Sequence, residues 1–280
     1  MTRLYAILAR KAHYAVLFRR GPSRRVAVIG WDTKGDRFEV GQWLSGRIYE
    51  RRCDLSPDGT KLVYFAAKYG RTMPTWTAIS RPPYLHALAM FPKGDGWGGG
   101  GLFTDDATLA LNHPASQRAT DAKLPRRFSV EALGAHAGAG EDFPIWGLRL
   151  LRDGWTFDQD GAAREHRLDA KLWIEYDPPH IYSRRHPRKA DVRLEMRLRG
   201  LQAKDGPWWV TDHAVVSSTG TVLLEGTDWA DYDRRGDLLF SREGKLFRAA
   251  AGDVSRAREI ADFSGLQYET RPAPAAARCW

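Results

Sequence analysis

Gly94-Asp95-Gly96-Trp97-Gly98-Gly99 satisfies the GxGxxG spacing with which a glycine-rich loop brings backbone amides against a pyrophosphate. That chemistry needs a strand before the glycines, a helix opening after them and an acidic residue roughly 20 positions on. The next residues are Gly100-Gly101-Leu102-Phe103-Thr104-Asp105-Asp106, with no helix former among the first of them. The expectation is therefore a turned loop that displays Trp97. Glycines are costly to order, so such a run suggests a close contact or a binding loop. Trp97 with Pro82, Pro83 and Tyr84 has the composition of an interface anchor, where a few aromatics carry most of the binding energy. The competing reading has Trp97 folding back to plug the core.

Other constellations are incomplete. Asp158-Gln159-Asp160-Gly161 opens like a calcium loop, but the position of the bidentate Glu is Arg167, so it reads as a structural turn. The eight histidines (His13, His86, His113, His136, His166, His180, His186, His213) show neither HExxH nor a metal-like pairing. No GxSxG elbow, GxxxxGK[ST] loop or thiol-protease signature is present. No cofactor and no metal are expected. Scattered carboxylates remain: Asp32, Asp54, Asp106, Asp142, Glu175, Asp228 and Asp231. Two-carboxylate hydrolysis would need a pair of them about 5–10 Å apart. Most stand at strand starts or turns, where hydrogen bonding to the backbone suffices as an explanation.

The net charge is +9 over 280 residues, and the excess is local. Arg3, Arg10, Lys11, Arg19, Arg20, Arg24 and Arg25 open the chain without an acid among them. Arg184, Arg185, Arg188, Lys189, Arg193, Arg197 and Arg199 form a second group, against Asp191 and Glu195. Patches of this kind attract nucleic acid, anionic lipid or acidic protein. The blander reading is arginine-rich composition on solvated strand faces. Arg184, Arg185, Arg188 and Lys189, in a Pro-rich loop with His180 and His186, are the candidate anion grip. No nucleic-acid module and no stacking platform accompanies the charge in the sequence.

Cys53 and Cys279 have no ligand spacing. Cys53 reads as a small buried hydrophobe, and its pairing with Cys279 stays open. No apolar run approaches the roughly 18–20 residues of a membrane helix, and the first run ends at Arg10-Lys11. A cytoplasmic monomer is the expectation.

The elements that must position these residues are short β-like runs, among them 4–9, 14–18, 26–30, 38–42, 61–66, 76–79, 85–91, 108–111, 146–151, 171–176, 192–198, 222–225, 238–241 and 245–249. Residues 159–172 and 253–262 could each hold a short helix. A polar residue and a Gly precede many of the apolar runs, as in Asp58-Gly59, Asp153-Gly154 and Arg235-Gly236, which is hairpin chemistry. The class is all-β. The best internal match pairs 53–65 with 230–242 at an offset of 177, keeping Asp54/Asp231, Gly59/Gly236 and Leu62/Leu239.

Asp54-Leu55-Ser56-Pro57-Asp58-Gly59-Thr60-Lys61-Leu62-Val63-Tyr64 resembles the SPDG core of TolB-like and WD-type β-propeller blades. The stretch 231–248 resembles two successive strands of such a blade. This resemblance implies a β-propeller, at roughly 40–50 residues per blade. Five blades are expected in a single domain over 1–270, with a Gly/Ala-rich insertion near 112–142 and a flexible Pro/Ala-rich tail over 271–280. Six blades or a two-sheet sandwich are the alternatives. The function expected is a non-catalytic binding or scaffold module for a protein partner. A propeller hydrolase acting on a glycan, as in arabinanase-type enzymes, is the first alternative, and nucleic-acid binding through the Arg-rich segments the second.

Overall fold

A computed structural model describes residues 1–280 except Ser23, Arg71, Ala170 and Asp205. The class is all-β, and the strands fall into five sheets, each built from consecutive strands. That pattern excludes the two-sheet sandwich, and five is the number expected for the blades. The chain divides into two compact units, Met1–Arg149 with Gly265–Trp280, and Leu150–Ser264. The first unit holds three sheets and the second two.

In the first unit, Arg3–Leu8, Tyr14–Arg20, Arg25–Asp32 and Arg37–Ser45 make a four-stranded antiparallel meander. The second sheet contains Arg47–Ile48 and Asp54–Leu55, both on the strand Leu62–Ala67, then Thr75–Ser80 and Ala87–Pro92. Leu62–Ala67 is buried at every position because strand side chains alternate between two covered faces. Leu62, Tyr64 and Ala66 pack with Val16, Phe18 and Val28 of the first sheet, whereas Val63 packs with Phe103, Leu109 and Leu111 of the third. A strand with polar outward positions could not occupy this place.

The third sheet pairs Gly101–Phe103 with Thr108–Leu111, and the latter with Ser129–Ala132 in parallel. The expected insertion near 112–142 thus contributes a strand. The tail, expected to be flexible, makes specific contacts with the first unit. Arg271 donates to the Val40 carbonyl (3.0 Å), Gln42 donates to the Arg271 carbonyl (2.8 Å), and Arg81 donates to that of Cys279 (2.7 Å). Trp280 meets Phe128 at 4.8 Å between ring centroids. Ala273 and Ala277 are themselves buried, which composition does not reveal.

In the second unit, the described residues of 159–172 form no helix. Ala163–Leu168 and the long strand Lys171–Arg185 pair as a hairpin. Residues 253–262 hold a short turn of 3-10 helix, Val254–Arg256, and the strand Arg258–Asp262. Conversely, the run 146–151, expected as a strand, lies in the α-helix Phe143–Arg152, which buries Ile145, Trp146 and Arg149 at helical spacing.

The hairpins that resemble blade strands are present, with Gly59 and Gly236 both at positive φ (+77° and +81°). Asp54 and Asp231 both lie on the first strand of such a hairpin, but Asp54 faces Val63 whereas Asp231 faces Leu239. The 177-residue offset therefore slips by one across the turn, and Leu62 and Leu239 are not equivalent.

Candidate functional site

Trp97 is 58% exposed, yet the loop that carries it is fixed on both sides. The Arg52 side chain, 2% exposed, donates from Nη1 to the carbonyls of Gly96 and Gly98, each at 2.7 Å. Its Nε donates to Asp142 at 2.6 Å, which keeps the buried guanidinium paired. The Gly98, Gly99 and Gly100 amides donate to the Gly140 carbonyl, the Asn112 carbonyl and Thr77 Oγ1 (2.6, 2.8 and 2.8 Å). At Gly100 (φ +80°) a Cβ would stand 2.1 Å from the Arg52 carbonyl, so no other residue fits there. The glycines let the loop lie against Arg52, and the indole stays outside. This excludes the reading in which Trp97 plugs the core. The polar tip is set by Asp95, which accepts from the Trp97 amide (2.9 Å) and from Lys93 Nζ (2.7 Å).

Pro82, Pro83 and Tyr84 do not join this surface. The second sheet pairs Ala67 with Thr75 and Trp76 with Pro92 at one end, and Leu62 with Ser80 and Ser80 with Ala87 at the other. Trp97 follows the first end, residues 82–84 the second, and strands of this length separate the two by roughly 15–20 Å. Pro83 is buried and its carbonyl accepts from the Gln42 amide (3.1 Å), while Tyr84 donates to Glu39 (2.6 Å). These residues fasten the second sheet to the edge strand of the first.

The neighbours of the Trp97 loop are instead Tyr69 and a basic cleft. A Cβ on Gly96 would lie 3.8 Å from the Tyr69 hydroxyl, and Tyr69 is 66% exposed. Its hydroxyl is 3.1 Å from that of Tyr49. The cleft, of about 880 Å³, is lined by Arg20, Arg24, Arg25, Arg47, Lys68 and Tyr69 among others, without a carboxylate. Arg20 is taken up by Glu50, at 2.9 and 3.1 Å. Burial pushes the Glu50 carboxyl up, but Arg20 and Arg51 outweigh it and hold it below the usual range, so the pair stays charged. Arg25 stacks on Tyr268 (3.9 Å to the ring centroid) and Arg47 on Tyr49 (4.3 Å). Sequence reasoning finds Arg24 and Arg25 but misses the convergence, because Arg47, Lys68, Tyr69 and Tyr268 come from other segments.

The other cationic candidates lie in the second unit. Arg184 is an ion-pair partner of Asp231. Arg185 is exposed and lines a cleft of about 690 Å³ together with Arg184 and Arg193, but Asp153, Asp158 and Asp191 line it as well. Arg188 and Lys189 are exposed, and Lys189 donates to the Ala251 carbonyl at 2.8 Å. His180 and Arg184 stand in the strand Lys171–Arg185, not in a loop, and His186 is buried against the Gly236 carbonyl (2.8 Å). The four cations are thus not one anion grip.

The chemistry-bearing carboxylates are largely engaged in structure. Asp54 accepts from the Phe103 amide (2.8 Å), Asp106 from that of Asp58 (2.8 Å), Asp32 from Arg37 (2.7 Å), and a Glu175 carboxylate oxygen lies 3.0 Å from His166 Nε2. Asp228 stands in the strand Thr227–Tyr232. Among the described residues no three His, Cys, Asp or Glu side chains form a metal-holding group. Cys53 is buried and Cys279 exposed, both unpaired, and burial pushes the Cys53 thiol up. No helix among the described residues is long and apolar enough to cross a membrane.

One buried dyad has the form of a nucleophile and base. Thr77 Oγ1 is 2.8 Å from His113 Nε2, and His113 Nδ1 is 2.8 Å from the Gln117 carbonyl. Both residues are fully buried, so no substrate reaches them. Burial lowers the His113 pKa from 6.5 to about 4. The folded protein then binds fewer protons than the unfolded chain between those values, so stability is lost as pH falls from about 6.5 toward about 4. The full loss is about 3 kcal/mol. Denaturation midpoints from pH 7.5 to 4.5 will show this leg, and His113→Asn will flatten it.

No family model and no curated protein matches the chain. Among solved structures it is similar, over 92% of its length, to one reported as "Structural and Mechanistic Analysis of Two Prolyl Endopeptidases: Role of Inter-Domain Dynamics in Catalysis and Specificity". The identity is 9% and the TM-score 0.32, and the chain spans 42% of that protein's length.

Proposed function

We propose that this chain is a non-catalytic binding module of β-propeller type, whose protein partner docks at the Trp97–Tyr69 end of the first unit. The observation that carries the reading is an exposed indole on a loop held by a buried arginine. An aromatic whose backbone is ordered before the partner arrives loses little entropy on docking, which is the condition for a hot spot. The blade-like hairpins and five local sheets support the propeller part of the reading.

Trp97→Ala tests it. The indole is mostly exposed and belongs to neither of the two core clusters described for the first unit, so the melting temperature should stay within about 2 °C of the wild type. The same change should weaken capture of the native partner by tenfold or more, which is the scale of a hot-spot aromatic. Trp208, 40% exposed in the second unit, supplies the control as Trp208→Ala. Equal loss in both variants, or a large drop in melting temperature for Trp97→Ala, would overturn the proposal.

A further inference from the structure

Resting on the reading that this end of the first unit is the docking face, we propose that the basic cleft receives a carboxylate-rich polypeptide segment of the partner. Arg24, Arg25, Arg47 and Lys68 line one concave surface, and no ion pair ties them to a carboxylate among the described residues. Four cations held this close repel one another unless an anion is present. The chain has 34 acidic residues, yet none lines this cleft, whereas the second unit's cleft sets three Asp beside its three Arg. The two clefts thus differ in charge balance.

The geometry also bears on the class of anion. Tyr268 and Tyr49 each have a ring face covered by a guanidinium, Arg25 and Arg47 respectively. A guanidinium held over a ring face can still present its N–H edge to a bidentate oxyanion, carboxylate among them. Each of those two rings already has one face taken by a guanidinium, which leaves fewer free faces in the cleft for successive bases. Single-stranded nucleic acid, which relies on successive aromatic faces, is a poorer fit than an acidic peptide. A volume of about 880 Å³ exceeds what a single phosphate fills and suits several residues of extended chain. The cleft meets the Trp97 loop through Tyr69, so an aromatic-contacting region and an acidic run in one partner can engage side by side.

The probe is a fluorescein-labelled peptide carrying eight consecutive Glu, titrated with the full chain by fluorescence anisotropy at 50 and 300 mM NaCl. The expected result is saturable binding that weakens at least tenfold at the higher salt and at least tenfold in the Arg24→Glu/Lys68→Glu double variant. Arg185→Glu/Arg188→Glu, on the second unit, should bind as the wild type does, and melting curves of both double variants should confirm their folding. Trp97→Ala should bind the probe normally, because the probe occupies only the cleft. Failure of the probe to bind, equal loss in both double variants, or displacement by millimolar inorganic phosphate would overturn the cleft proposal. Tighter, Arg24/Lys68-dependent binding of oligo-dT would overturn it in favour of nucleic acid. Probe binding with native-partner capture unaffected by Trp97→Ala would retain the acidic-segment site and discard the docking reading.

Discussion

Arg52→Met will destabilise the first unit by about 3–5 kcal/mol and release the Trp97 loop. The wild-type guanidinium is 2% exposed and satisfies Asp142 and the carbonyls of Gly96 and Gly98 at 2.6–2.7 Å. Methionine fills much of the volume but donates nothing, so two carbonyls lose a donor and Asp142 loses its ion pair with Arg52 together. Leaving a buried acceptor unsatisfied costs about 1–3 kcal/mol, and an unpaired charge costs more. Urea denaturation gives the stability change, and protease cleavage within residues 94–101 reports the loop. Asp142→Asn, which keeps a hydrogen-bond acceptor but removes the charge, should lose less. If Arg52→Met unfolds at the wild-type midpoint, the loop is held by its glycine packing alone and the anchor is not Arg52-dependent.

Arg248→Met will have a comparable effect in the second unit, about 3–5 kcal/mol. Arg248 Nη1 donates to Asp233 at 2.7 Å and to Asp237 at 2.8 Å, and both Arg248 and Asp233 are buried. Asp233 in turn accepts from the amides of Arg235 (2.8 Å) and Asp237 (3.0 Å), which shapes the turn around Gly236. Removing the guanidinium leaves two carboxylates facing each other at the end of one hairpin, with the more exposed Arg235 at 3.6 Å as a weak substitute. Against the upward push of burial, the Arg248 guanidinium helps hold the Asp237 carboxyl below its usual range, so the penalty should shrink at low pH as Asp237 is protonated. Hydrogen exchange should show faster opening of Leu238–Arg242 and Lys245–Ala249 while the first unit's second sheet stays protected.

Much of this architecture was legible locally. The Gly-turn hairpins follow from residues adjacent in sequence, since a positive φ at Gly59 or Gly236 needs only a glycine at the turn. Alternating or continuous apolar runs located most strands for the same reason. Segments whose pattern suits two conformations were not legible. Residues 143–152 are apolar enough for a buried strand or a helix, and the burial of Ile145, Trp146 and Arg149 on one side selects the helix. Residues 163–168 are mostly exposed, so no periodic pattern marked them, and pairing with Lys171–Arg185 makes them a strand.

The sequence by itself determined the all-β class, the turn chemistry and an unusual glycine run carrying a tryptophan. Tertiary structure decided where that tryptophan points, because the arginine that fixes its loop stands more than forty residues earlier. It also separated Pro82, Pro83 and Tyr84 from Trp97, since one six-residue strand, Ala87–Pro92, carries the chain from one end of the sheet to the other. The basic cleft was hidden for the same reason. Coulomb energy depends on distance in space, and Arg24, Arg47, Lys68 and Tyr268 become neighbours only when two sheets and the C-terminal tail fold together.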